Sequence, residues 1–183
     1  MYLHTTMNEE ISNESKMVTL TSSPVASATA QTEIEDDWET LKPLSRSVLP
    51  TKALSLKQPW AWAVLHGKDI ENRRWNTKFR GWFWLHAAKS CTTSYYLDAL
   101  SYIEQVSDLD VPAIRDLELG GIIGKARIVE VLPKTNTPTT KWHMPGQYGF
   151  VLENIQAVPF TPCSGALNFW NVSEDLLEKL SCL

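Results

Sequence analysis

Residues 53–89 read ALSLKQPWAWAVLHGKDIENRRWNTKFRGWFWLHAAK. Ala53 to Lys57 alternates apolar and polar side chains with period two, which predicts a strand with Leu54 and Leu56 facing inward. Gln58-Pro59 ends that strand, and proline suits the first position of a helix. Trp60 to Leu65 followed by Gly67 then predicts a short helix with a glycine stop. It is apolar on nearly every side and therefore buried, so Trp60 and Trp62 read more readily as core than as a ligand platform. After Gly67, Asp69 to Trp75 is a poor helix and a plausible strand, with Glu71, Arg73 and Trp75 on one face and Ile70 and Asn72 on the other. A polar turn at 76–81 leads into Gly81 to Ala87, dense in aromatics, with Trp82, Trp84 and His86 on one face and Phe83, Leu85 and Ala87 on the other. One of those faces should be core and the other line a cleft.

The same stretch is chemically distinct from its flanks. It holds five of the eight tryptophans, and from Lys52 to Lys89 it carries eight Lys/Arg against only Asp69 and Glu71. The whole chain has a net charge of −4, so this is a basic, aromatic island between acidic flanks. Positive charge interleaved with flat rings suits a polyanion that carries stackable bases. A carboxylate and a guanidinium two residues apart on one strand face can orient each other or grip a donor–acceptor edge such as that of a base. The plainer reading is an exposed ion pair worth little. His86 taken alone is more often a structural histidine than a base, although its titration range keeps it eligible.

Outward from this stretch, residues 1–50 are rich in Ser, Thr, Glu and Asn and lack hydrophobic periodicity, which predicts a disordered acidic tail. Trp38 among Glu35, Asp36, Asp37 and Glu39 fits a short docking element for a protein partner; a solvated tail with one stray aromatic is the plainer alternative. Residues 51–183 are then expected to form one domain. Thr92 or Thr93 caps an amphipathic helix with Tyr96, Leu97, Leu100, Ile103 and Val106 at helical spacing. Asp110 and Pro112 start a shorter helical piece ending at Gly120-Gly121. Gly121 to Leu132 is the clearest strand in the chain, its glycines read as bulge or close-approach positions because no phosphate-loop spacing is present. A Pro/Thr-rich loop from Pro133 to Gln147 carries Lys141, Trp142 and His143, and an irregular loop of that length is often functional. Two strands, Tyr148 to Glu153 and Ile155 to Phe160, are expected around a turn at Asn154. A further extended stretch at 166–172 precedes a closing helix capped by Ser173. The fold class is therefore α+β: a small mixed β-barrel with flanking helices behind a disordered tail.

Cys91, Cys163 and Cys182 are widely spaced and form no C-x-x-C motif, which supports neither a disulfide framework nor a zinc site. Neither a signal-peptide core nor a run of about 20 apolar residues is present, so a soluble, cytoplasmic protein without membrane contact is expected. No cofactor or metal is expected.

The segment LSLKQPWAWAVLHGKDIENRRWNTKFRGWFWLHAA, with Gly67-Lys68-x-x-Glu71-x-Arg73 inside it, resembles the ASCH domain of the PUA-like superfamily. Gly121-Ile-Ile-Gly124, Trp142, Gly146 to Leu152, Gly165-x-Leu167 and Trp170 follow in the order such a domain would have, so the resemblance spans about residues 53–172. It implies a β-barrel with flanking helices and a cleft at the motif, and a role in RNA metabolism or transcription-linked regulation through binding of RNA or a modified nucleoside. By the same resemblance Lys68, Glu71 and Arg73 are the motif residues, and Lys57, Arg80 and His86 sit where the flanking segments would line the cleft. As a binding module, the chain would use Lys57, Lys68 and Arg80 toward phosphate or sugar, Glu71 and Arg73 toward a base edge, and Trp75 or Trp82 for stacking. Some relatives hydrolyse N4-acetylcytidine or act as ribonucleases. The alternative is therefore a hydrolase in which Lys68 is nucleophile or proton donor and Glu71 the general base. The short amidohydrolase relatives carry a Thr where Glu71 stands here.

Overall fold

A computed structural model describes residues 49–183. The expectations for the acidic tail and for Trp38 lie outside the described residues. The chain runs β1 (Lys52–Leu56), α1 (Trp60–Leu65), β2 (Ile70–Arg73), β3 (Gly81–Ala87), α2 (Thr93–Val106), β4 (Gly121–Leu132), β5 (Tyr148–Pro162), β6 (Phe169–Asn171) and α3 (Glu174–Ser181). The strands form one six-stranded sheet in the order β2-β5-β4-β3-β1-β6. The pairing of β1 with β3 is parallel and the other pairings are antiparallel. The expected mixed barrel is thus a curled, half-closed sheet: β2 and β6 are its two edges and do not pair with each other.

Apolar side chains from both faces explain the stability of this sheet. Leu54, Leu56, Phe83, Leu85, Ile128, Phe150 and Leu152 form the main core with Ala61 and Val64 of α1. Phe169 packs onto that core edge-on to Trp75, with ring centroids 5.8 Å apart, and 6.5 Å from Phe150, so the curl brings β6 within reach of β2 and β5. The other face of β3 is also core: Trp84 packs with Ala53, Ile122 and Val172 under Leu176, Leu177 and Leu180 of α3. Its indole donates to the Pro50 carbonyl at 2.7 Å. Burying a side chain of this kind is worth roughly 1.5–3 kcal/mol, so both faces anchor the strand that carries His86.

Helix ends follow the sequence. Thr92 accepts from the Tyr95 amide and Ser173 from the Leu176 amide, as N-caps should. In α2 the buried residues are Tyr96, Ala99 and Ile103. Leu97 is 55% exposed, because it lies about 100° around the helix from Tyr96 and misses that stripe.

Three expectations are corrected. The piece after Pro112 is a single 3-10 turn at Ile114–Asp116, and of its apolar residues only Leu117 is buried, which makes no helical stripe. The Asn154 turn does not exist: β5 is one strand from Tyr148 to Pro162, and Asn154, with φ 52°, lies where Asn154 and Ile155 together oppose Ala126 in a β-bulge. Asparagine tolerates that left-handed conformation, so a turn-like residue marks a bulge here. On β3, alternation separates two cores rather than a core from a cleft, and only His86 on the Trp84 side reaches the cleft. Gly124 behaves as expected, since a Cβ there would lie 2.7 Å from the Gln156 carbonyl oxygen and from Leu65.

Candidate functional site

A cleft of about 890 Å³ opens between the β1–β3 part of the sheet, α2, the loop 133–147 and the strap 165–168. Its floor is set by the end of α1. Gly67, at φ 108°, reverses the chain, and the Lys68 amide closes the helix by donating to the Ala63 carbonyl at 2.9 Å. That reversal turns the Lys68 side chain inward, where it is 1% exposed. Its ammonium donates to the Ile70 carbonyl and, at 2.8 Å, to Glu71 Oε2. Glu71 Oε1 lies 3.1 Å from Arg73 Nε, and Arg73 Nη2 donates to the Ser55 carbonyl at 2.7 Å. The period-two spacing of Glu71 and Arg73 on β2 therefore makes one row in which Lys68 and Glu71 are buried and Arg73 is half-buried, in place of an exposed surface pair. Burial lowers the Lys68 pKa; the attraction of Glu71 opposes this shift, and the nearby Arg73 adds to it.

The walls come from elements the motif does not contain. Tyr95, Asp98 and Tyr102 of α2 share one helix face and line the cleft. Lys57 Nζ lies 4.6 Å from the centre of the Tyr95 ring, and Trp60 meets Tyr102 edge-on at 5.8 Å. Lys68 Nζ sits 5.6 Å from the Trp60 ring, so Trp60 is both partly core and cleft wall. Gln58, 2% exposed, holds this corner by accepting from the Trp62 amide and donating to the Glu118 carbonyl, each at 2.9 Å. The loop 133–147 is irregular, as expected, and firmly tied: Asn72 donates to the Trp142 carbonyl at 2.7 Å and accepts from the Met144 amide at 2.8 Å. Met144 and Gln147 of that loop face the cleft.

His86 is 1% exposed and sits under the strap. Its Nε2 meets the Cys163 carbonyl at 3.3 Å, while Nδ1 is buried with no hydrogen-bond partner. A Cβ on Gly165 would overlap His86 Cε1 and come within 2.7 Å of Ser55 Oγ, so only glycine lets the strap lie this close. Ser55 Oγ donates to the Ala166 carbonyl at 3.0 Å and accepts from the Trp170 indole at 3.1 Å. Burial lowers the His86 pKa, with the Cys163 carbonyl opposing it, which favours the neutral ring.

Of the eight residues singled out from sequence, Lys57, Lys68, Glu71, Arg73 and His86 line this one cleft. Trp75 instead packs on Phe150 and Phe169 at 5.2 and 5.8 Å, in the edge of the core. Arg80 is exposed and folds back on the carbonyls of Thr77 and Phe79, and Trp82 lies under Lys125, at 5.5 Å, outside the cleft lining. The cleft carries four cationic side chains, Lys57, Lys68, Arg73 and Lys89, against two carboxylates, Glu71 and Asp98. Sequence reasoning passed over Tyr95, Asp98 and Tyr102. Their spacing was legible as a polar-aromatic helix face beside the buried stripe, but nothing local says that this face turns toward the motif.

Among the described residues no helix is long and apolar enough to cross a membrane. No curated protein matches the chain. A family model described as ASCH domain matches residues 54–160, which contain the floor and the aromatic walls of the cleft and end before the strap.

Proposed function

The chain belongs to the ASCH domain family, and from that premise we propose that residues 51–183 form a PUA-like module that binds RNA or a modified nucleoside in this cleft. The observation that carries the reading is the meeting of the Lys68–Glu71–Arg73 row with an aromatic wall of Trp60, Tyr95 and Tyr102. The rings give a base its stacking surface, Lys57 at the mouth meets phosphate or ribose, and the Glu71–Arg73 pair offers an acceptor and a donor to a base edge. Arg80 and Trp75, away from the cleft, serve the turn and the core.

A second reading, hydrolysis of RNA or of an N4-acylated cytidine, rests on Lys68. Burial raises the fraction of neutral, nucleophilic amine, and Glu71 stands 2.8 Å away to take up or return a proton.

One titration separates the two. The full chain is mixed with a pool of short RNAs and with free N4-acetylcytidine at about 50 and about 200 mM salt, and products are weighed by mass spectrometry. Binding that weakens with salt and leaves every mass unchanged supports the binding module. A mass change abolished by Lys68→Ala makes the protein a hydrolase, and silence on both counts sinks the cleft as a nucleic-acid site.

A further inference from the structure

The cleft continues past its strap. A smaller groove of about 520 Å³ lies against it, and Lys89 and Gly165 line both. Leu119, Gly120, Pro162, Cys163 and Ser164 line the groove and not the cleft. At the junction Lys89 is exposed and makes no ion pair among the described residues. Its stem is nevertheless placed, because Gly120, at φ 77°, brings its backbone against it: a Cβ there would lie 3.6 Å from Lys89 Cβ. The strap adds a third feature. Leu167 lines the cleft yet is 89% exposed, held out between Gly165 and Asn168, which takes a φ of 58°. A lone large apolar side chain standing up at the lip of a basic cleft has the form of the wedges that proteins insert between stacked bases.

Resting on the nucleoside-binding reading of the cleft, we propose that the ligand is a single-stranded oligonucleotide and that the groove is its second subsite. One base enters the cleft, the next nucleotide lies along Leu119 and Ser164, Lys89 meets the phosphate between them, and Leu167 separates the two bases. Charge favours this occupant: the ammonium stands where a connecting phosphate must pass, and a free nucleoside would use neither it nor the groove. The small residues Gly120, Ser164 and Gly165 leave the groove open to a sugar–phosphate chain.

The test compares the four ribonucleosides and N4-acetylcytidine with mixed-sequence RNA and DNA octamers, a length within the roughly 4–16 nucleotides that single-strand sites cover. On the full chain an octamer is expected to bind at least about tenfold more tightly than the best nucleoside. Ser164→Asp and Lys89→Glu each lower octamer affinity about tenfold. Lys89→Glu also flattens the slope of log affinity against log salt by about 0.7, the share of one single-strand phosphate. Nucleoside affinity and thermal midpoint stay as in the parent with Ser164→Asp, whose site is exposed and outside the cleft. A nucleoside that binds as tightly as the octamer, or octamer binding indifferent to both groove variants, overturns the second subsite and leaves the cleft reading standing. Failure of every probe to bind overturns both. The RNA and DNA arms report which backbone the groove accepts.

Discussion

Arg73 Nη2 donates to the backbone carbonyl of Ser55 at 2.7 Å, although β5, β4 and β3 stand between their two strands in the sheet. Only a sheet curled back on itself brings an edge strand that close to β1. The guanidinium thus spans the gap that ladder hydrogen bonds leave open, and Glu71, 3.1 Å from Nε, fixes its approach. Curl, cleft and motif are one construction: the residue that bridges the sheet also orders the carboxylate that holds Lys68.

Arg73→Lys is therefore expected to be costly. A single ammonium cannot both pair with Glu71 and reach the Ser55 carbonyl as a fork does. Loss of one charge-assisted hydrogen bond should remove about 1.5–3 kcal/mol in urea unfolding, together with much of the ligand affinity. Stability within about 0.5 kcal/mol of the parent, the range of an ordinary surface substitution, would show that the strands hold the curl without this bridge.

The Lys68–Glu71 pair should show its burial when broken from one side. Glu71→Gln leaves Lys68 and Arg73 without their shared counter-charge, at a cost of about 3–5 kcal/mol. Joint replacement, Lys68→Met with Glu71→Leu, should recover part of that loss while abolishing binding. The pH dependence has a definite sign. Burial holds the folded pKa of Lys68 below its ordinary 10.5, so between the two values the unfolded chain binds more protons and stability rises with pH. Subtracting the Lys68→Met profile from that of the parent isolates the rise; a flat difference would contradict the desolvation of Lys68.

Legibility followed the range of the forces involved. Alternation at Leu54 and Leu56, the Gly67 reversal and the Thr92 and Ser173 caps are local, and the sequence states them correctly. So does the grouping of Glu71 with Arg73, because strand period alone puts them on one face. Trp75 shares that parity and still goes to the core, since β2 stops at Arg73 and alternation beyond the last paired residue has no meaning. Asn154 carries the conformation of a turn, but whether φ above zero makes a turn or a bulge depends on the partner strand. Tyr95 and Tyr102 escaped for the same reason: their role is set by where α2 docks, a contact far from the motif in sequence.

His86 should make the protein acid-sensitive. Its neutral ring is favoured in the fold, with a pKa below the ordinary 6.5. As pH falls through 6.5 toward the folded value, the unfolded chain takes up the proton first, and the stability contributed by this residue is lost. His86→Gln should flatten the fall in unfolding free energy between about pH 8 and pH 5. An unchanged profile would mean that the ring takes up its proton as readily in the fold as in the unfolded chain.

Gly165→Ala tests the strap without touching the motif. The new methyl group would overlap His86 Cε1 and crowd Ser55 Oγ, so the segment 165–168 must lift and give up the Ser55–Ala166 hydrogen bond. That bond is worth about 0.5–1.5 kcal/mol net, so the protein stays folded. Oligonucleotide affinity should nevertheless fall about tenfold as Leu167 leaves its position. Equal affinity in both forms would remove the strap from the binding site.

Trp75 and Tyr95 separate fold from function most cleanly. Trp75 packs edge-on against Phe150 and Phe169 with centroids 5.2 and 5.8 Å apart, whereas Tyr95 lines the cleft beneath Lys57. Trp75→Ala should cost up to about 3–5 kcal/mol, with ligand affinity kept in whatever fraction remains folded. Tyr95→Ala should leave the thermal midpoint within a few degrees and lose about 1–3 kcal/mol of binding, the worth of one stacked base. Measured side by side by thermal melting and fluorescence titration, the reversed pattern would return the stacking role to Trp75, because a ring that only supports the core cannot lose binding and keep stability.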